Sequence, residues 1–232
     1  MTCYAYFGKD GEKSETMEEH IEKGLEVIDF YIKRKYYKKL AKCLHVNNNK
    51  VGEIILKTSY VFHDIGKGLT YYQKSKTFRG HEFYSAYITY NSINKITGNE
   101  KMDEKIKRII SCAIALHHHT MVNRHYLNVN YSKLCKDCIN IIEKYSPIDV
   151  DIPKIIKGNI IHSVSEYFTN NNFREIYLIL VPLMVADNIS AILNRNTDKE
   201  NLGVLGREVI EIYNIYKKFI GDNYALHNNL RI

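Results

Sequence analysis

Tryptophan is absent, and 3 prolines and 12 glycines in 232 residues never gather into a Pro-rich or Gly/Ser-rich stretch. That excludes a linker of ordinary composition, and with no internal repeat or low-complexity tract the chain is expected to form one globular domain over residues 1–232. The 5 cysteines are an odd number in a long chain and do not resemble a disulfide framework. The opening segment MTCYAYFGKD lacks the apolar stretch of a secretory signal, so a cytoplasmic location is expected. No run of about 18 apolar residues is present, which predicts no transmembrane span and no membrane partner.

The chain does have enough apolar residues, 45%, for a sizeable core, and a basic balance of +7. Excess Lys and Arg attract polyanions and release counterions on binding phosphates. The cations cluster at Lys33, Arg34, Lys35, Lys38, Lys39 and Lys42, at Lys74, Lys76 and Arg79, and at Lys105, Lys107 and Arg108. Solvated helix faces account for such clusters as well as a nucleic-acid surface does.

Apolar spacing is helical almost throughout. Thr16-Met17-Glu18-Glu19 is a capping box that starts a helix carrying Ile21, Leu25, Ile28 and Ile32, with His20 in its first turn. Val51, Ile54, Ile55, Thr58 and Phe62 form a second stripe that stops near Gly66, a residue able to turn without a Cβ penalty. Further helices are expected from His81 to about Ile96, over Glu104–His118, and roughly over Tyr131–Lys144, Pro153–Phe168, Phe173–Leu193 and Leu202–Phe219. Tyr4 to Phe7 is a candidate short strand. The expected fold class is all-α, a compact helical bundle.

His63-Asp64 ends the second helix, but 10 His and 10 Asp in a chain of this length produce a His-Asp dipeptide by chance about 0.4 times. The longer string His63-Asp64-Ile65-Gly66-Lys67 has a chance expectation of only a few in a thousand, and the triple His117-His118-His119 of about two in a hundred. Imidazole and carboxylate suit divalent first-row metals, and a carboxylate can bridge two ions about 3.5–4 Å apart, which makes Asp64 the candidate bridge. Paired ions acidify water and clamp phosphoryl oxygens, so the chemistry needs no nucleophilic side chain, and no Ser or Cys nucleophile motif is present.

The order His20, His63-Asp64, His81, His117-His118 and Asp187 resembles the HD-domain phosphohydrolase superfamily over nearly the whole chain. The HD-I-G-K string, Gly80-His81-Glu82-Phe83-Tyr84-Ser85-Ala86, the adjacent histidines after the apolar helix, and Val185-Ala186-Asp187-Asn188-Ile189-Ser190-Ala191 resemble the stand-alone HD nuclease of type I CRISPR systems more closely. The resemblance implies an HD-domain bundle in which His20, His63, Asp64 and Asp187 hold one metal ion, while Asp64, His81, His117 and His118 hold the other. Mn²⁺, Fe²⁺, Co²⁺, Ni²⁺ or Mg²⁺ are the expected ions. The family has two histidines followed by a small residue, whereas His119 here precedes Thr120, which leaves His118-His119 as the alternative register. Asp64 and Lys67 are the implied catalytic residues, Lys67 at a position suited to contacting a phosphate.

A nuclease of single-stranded DNA, with RNA as a second candidate substrate, follows from the same resemblance. The chain contains no helicase sequence, so it would work with a separate CRISPR-associated helicase and a crRNA-guided surveillance complex. Two alternatives stand beside it: hydrolysis of nucleotides or cyclic (di)nucleotides, and a non-catalytic HD-fold interaction module. The cyclic-dinucleotide branch should continue with a Gly-Tyr-Pro element after its paired histidines, where this chain has Met121-Val122-Asn123-Arg124. Cys135-Lys136-Asp137-Cys138 has half the spacing of a zinc site without a second pair, so both are expected to be thiols on an amphipathic helix. His45, His125, His162 and His227 are expected to lie outside the site.

Overall fold

The computed structural model describes residues 2–8, 13–118, 128–168 and 172–195, together with positions 208, 211 and 214. Thr16 caps the first long helix as its sequence predicts: its hydroxyl accepts from the Glu19 amide at 3.2 Å, and the Glu19 carboxylate accepts from the Thr16 amide at 2.9 Å. This helix, α1 (Met17–Lys33), follows a two-stranded antiparallel pair, β1 (Tyr4–Tyr6) with β2 (Glu15–Thr16). Next come α2 (Tyr37–Leu44) and α3 (Asn49–Phe62), the latter capped by the Asn48 side chain, which accepts from the Lys50 amide at 3.0 Å. A 3₁₀ turn (Ile65–Gly68), α4 (Thr70–Ser75) and α5 (His81–Ser92) lead to α6 (Glu100–Leu116), which starts at an Asn99 cap.

The second half contains β3 (Tyr131–Lys133), α7 (Lys136–Tyr145), β4 (Ile155–Lys157), α8 (Ile161–Tyr167) and α9 (Phe173–Arg195). The all-α reading holds: the strands of the described residues form only two small pairs, β1–β2 and β3–β4. α1, α3, α6 and α9 pack on one another around a single core, with α5 against α6 and the 3₁₀ turn. α3 and α6 pack against α9, and α5 packs against α6, which brings His63 and Asp187 into one group with Asp64 and His81 and His117 into another.

Two helix expectations need correction. Residues 131–133 and 155–157 form β3 and β4, with Ser132 and Ile156 buried between exposed neighbours, a period of two within stretches whose overall spacing is helical. Gly158, at φ +76°, ends β4 before α8, and the left-handed conformation there is one that glycine takes without penalty. The helix expected over Leu202–Phe219 lies outside the described residues apart from isolated positions. α9 is, among the described residues, one helix long and apolar enough to cross a membrane by length and composition, which the sequence expectation denied. It packs against α1, α2, α3 and α6, with 44% of its apolar stretch buried.

The cysteine reading also changes. Cys3 and Cys138 are disulfide-bonded across 135 positions, a pairing with no local signature, while Cys43, Cys112 and Cys135 remain thiols. A Cβ on Gly68 would lie 2.8 Å from the Cys138 Cβ, so the bond is seated directly on the 3₁₀ turn. A reducing cytoplasm would hold this pair as two thiols. Closing so long a loop restricts the unfolded chain strongly, and reduction is expected to lower stability by about 2–5 kcal/mol. Urea unfolding with and without dithiothreitol measures this; superimposable curves would contradict it.

Candidate metal centre

Three of the candidate histidines share one local device. His63 follows α3 and His117 follows α6, each at a helix end, and His81 opens α5 after Gly80 at φ +77°. In each, Nδ1 lies 2.6 Å from the main-chain carbonyl three residues earlier, that of Tyr60, Ile114 or Phe78. A carbonyl only accepts, so Nδ1 carries a proton and Nε2 is the nitrogen turned toward the site. His20 is held differently: its Nδ1 donates to the Glu15 carboxylate at 2.8 Å.

The Nε2 atoms face inward onto carboxylates. His20 Nε2 is 3.3 Å from Asp187 Oδ1 and 3.6 Å from Asp64 Oδ2, and His63 Nε2 is 3.5 Å from both. His81 Nε2 lies 2.8 Å from Asp64 Oδ1, and His117 Nε2 lies 3.8 Å from the same oxygen. Two groups result, His20-His63-Asp64-Asp187 and Asp64-His81-His117-His118, each with its ligand-type atoms within 4.8 Å of one another, and Asp64 belongs to both.

Divalent metal ions fit these groups. The Nε2 atoms of His20 and His63 lie 3.3 Å apart, close to the spacing of two ligands on one ion with bonds of about 2.1 Å. His117 Nε2 is buried with no hydrogen-bond partner, which is costly unless something else satisfies it. Neutral imidazoles held by their far nitrogen, beside carboxylates, are the ordinary donor set for first-row ions.

The charges of the metal-free site compensate one another. Burial would raise the Asp64 carboxyl, but Lys67, His63 and His81 outweigh it and hold Asp64 well below the usual carboxylate range; His20 and His63 do the same for Asp187. Burial disfavours a charged His20, yet hydrogen bonds to Asp187 and Glu15 prevail and raise it to about 9. Burial, reinforced by neighbouring histidines, lowers His117 strongly and His118 to about 4, so both are neutral at pH 7.

These shifts predict opposite flanks for the stability of the metal-free protein. The folded pKa of His118 lies below its unfolded value of 6.5, so the unfolded chain binds its proton first. Stability is lost as pH falls from about 6.5 to 4, by roughly 3 kcal/mol for this group. His20 has the raised pKa, so its contribution is complete below about 6.5 and disappears as pH rises through about 9. Thermal unfolding of chelator-treated protein between pH 4.5 and 9.5 is expected to peak near 6.5, and a steady rise to pH 9 would contradict this assignment.

Lys67 lies against Asp64. Its ammonium is 2.6 Å from Asp64 Oδ2, 5.4 Å from the Phe78 ring centre, and only 7% exposed. It is the positive charge now compensating Asp64. His119 lies outside the described residues, as do His125 and His227; among the described residues His117 and His118 join Asp64 and His81. His45 and His162 are exposed and apart from the site.

Sequence reasoning missed Glu15, Ser190 and Tyr60. Glu15 is wholly buried, and His20 together with Arg195 and Asn194 overcomes the upward effect of burial to lower its carboxyl to about 2. The Tyr60 hydroxyl donates to the His20 carbonyl at 3.0 Å and touches Ser190 Oγ at 3.0 Å, which lies 3.1 Å from His20 Nδ1. A buried tyrosine on the same helix as His63 was the available signal for this frame.

No protein-family model matches the chain, and no curated protein matches it. Among solved structures the chain is similar to the CRISPR-associated Cas3 HD domain protein MJ0384 from Methanocaldococcus jannaschii, at 20% identity and a TM-score of 0.48, over 73% of this chain and 95% of that one.

Proposed function

We propose that the chain is an HD-type, metal-dependent phosphodiesterase that cuts single-stranded DNA, acting beside a separate helicase and a crRNA-guided complex. One observation carries the hydrolase reading: two adjoining His/Asp groups share Asp64, with Nε2 atoms directed inward and that of His117 without a hydrogen-bond partner. His20, His63, Asp64 and Asp187 would hold one divalent ion, and Asp64, His81, His117 and His118 the other. When bound, such a pair activates water and neutralises charge on the phosphoryl oxygens.

The residues of the chain then have separable tasks. The carbonyls of Tyr60, Phe78 and Ile114 fix the imidazole tautomers, and Asp64 couples the two positions. Lys67 holds the Asp64 carboxylate and would set its ammonium beside a phosphate bound there. Lys74, Lys76 and Arg79, all exposed, lie on the stretch that leads into His81, where a polyanionic strand gains more than a lone nucleotide does. The step from phosphodiester to single-stranded DNA rests on the sequence resemblance to the stand-alone HD nuclease.

Purified protein incubated with Mn²⁺ and, in parallel, labelled single-stranded DNA, duplex DNA, RNA and a nucleotide panel tests the proposal. Cleavage of single-stranded DNA that stops on chelation is the expected result. Turnover of nucleotides alone would replace the nuclease reading, and no metal-dependent turnover would leave an interaction module.

A further inference from the structure

Each of three histidines in the centre is held by a main-chain carbonyl of its own segment, but His20 is held by a side chain from outside its helix, Glu15 on β2. The Glu15 carboxylate is wholly buried and fully engaged. Oε1 accepts from His20 Nδ1 at 2.8 Å and from Asn194 Nδ2 at 2.7 Å, and Oε2 accepts from Arg195 Nε at 2.8 Å. Asn194 also donates to the Glu19 carbonyl at 3.1 Å, and the Arg195 guanidinium lies 4.1 Å from the Tyr6 ring centre. Asn194 and Arg195 end α9, two helical turns after Asp187. One carboxylate therefore grips both the His20 ring and the helix that delivers the carboxylate opposite it.

We infer that Glu15 is the positioning residue of one metal position only, the one formed by His20, His63, Asp64 and Asp187. It orients His20 directly and fixes α9, hence Asp187, through Asn194 and Arg195. The inference rests on the metal-centre reading above and adds to it that the two positions depend on different supports. Among the described residues Glu15 bonds to His20, Asn194 and Arg195 and not to His81, His117 or His118, so the second position stands without it. An outer carboxylate on a metal-binding imidazole fixes the tautomer and strengthens the ligand, and its loss typically lowers metal affinity about 10–100-fold.

Full-length protein stripped with a chelator, reloaded with Mn²⁺ and freed of excess tests this by elemental analysis and titration calorimetry, independent of turnover. Wild type is expected to retain about two ions per chain and Glu15→Ala about one. Arg195→Met, which leaves the Glu15–His20 bond intact, is expected to keep both ions with affinity reduced at one position. Far-UV circular dichroism monitors folding. If the alanine variant fails to fold, Glu15→Gln decides: it keeps the shape and an acceptor for His20 but loses the charge facing Arg195, and one affinity of the two should fall. Both ions retained at wild-type affinity, or both lost together from a folded variant, would overturn the assignment alone. No metal in the wild type would overturn the metal-centre reading itself and this inference with it.

Discussion

Asp64→Ala is expected to empty both metal positions at once and to reduce Mn²⁺-dependent phosphodiester cleavage by about 10³-fold or more. The size of the effect follows from its place in the site. Asp64 is the one residue common to the two groups: Oδ1 faces His81 at 2.8 Å and His117 at 3.8 Å, while Oδ2 faces His20 and His63. Among the described residues no other carboxylate belongs to both groups, so none is placed to take over. His118→Ala, by contrast, removes a residue of one group and should leave one ion in place. The metal-free alanine variant should also be less stable than wild type, because Lys67 loses the only charge 2.6 Å from its buried ammonium. Asp64→Asn separates these effects, since it keeps the volume and removes the charge. Metal analysis with initial cleavage rates gives the readout; an alanine variant that retains both ions, or a rate within about tenfold of wild type, would refute the shared-bridge assignment.

What the sequence displayed of this site depended on how local the chemistry is. Imidazoles and carboxylates are few, and His63-Asp64 with Gly66-Lys67, or His117-His118, stand out within a handful of residues. The Thr16 capping box and the stripes of α3 and α6 were legible for the same reason, because helix starts and apolar faces repeat over short distances. Glu15 was not. It sits in a stretch rich in Lys and Glu that looks solvated, and its burial is created by Asn194 and Arg195, about 180 positions away. The Cys3–Cys138 bond and the β3–β4 pair are likewise contacts between distant segments, invisible to any local pattern. Lys67 was legible as a cation but not as the partner of Asp64, because the 3₁₀ turn that brings the two within 2.6 Å is not a feature of apolar spacing.

Gly66 shows how a residue can be chosen for a reason its sequence context does not reveal. A glycine after a helix suggests a left-handed turn, yet Gly66 is not among the residues with positive φ. Its requirement is space. A Cβ built there would lie 2.4 Å from the His81 carbonyl oxygen, 2.8 Å from the Ser85 amide nitrogen and 2.9 Å from Ser85 Oγ. The first two are main-chain atoms of α5, which cannot move without moving the helix that carries His81. The Gly66 amide meanwhile donates to Ser85 Oγ at 2.9 Å, so the same displacement breaks a buried hydrogen bond. Gly66→Ala is therefore expected to cost about 1–3 kcal/mol from overpacking, with the lost hydrogen bond in addition. Because the 3₁₀ turn begins directly after Asp64, the displacement should also spread the Asp64–His81 pair and weaken the Asp64-His81-His117-His118 position more than the other. Chemical denaturation measures the first effect, and metal analysis of the folded variant the second. Wild-type stability together with two ions bound at unchanged affinity would show that the turn and α5 can separate without cost, contrary to the packing described here.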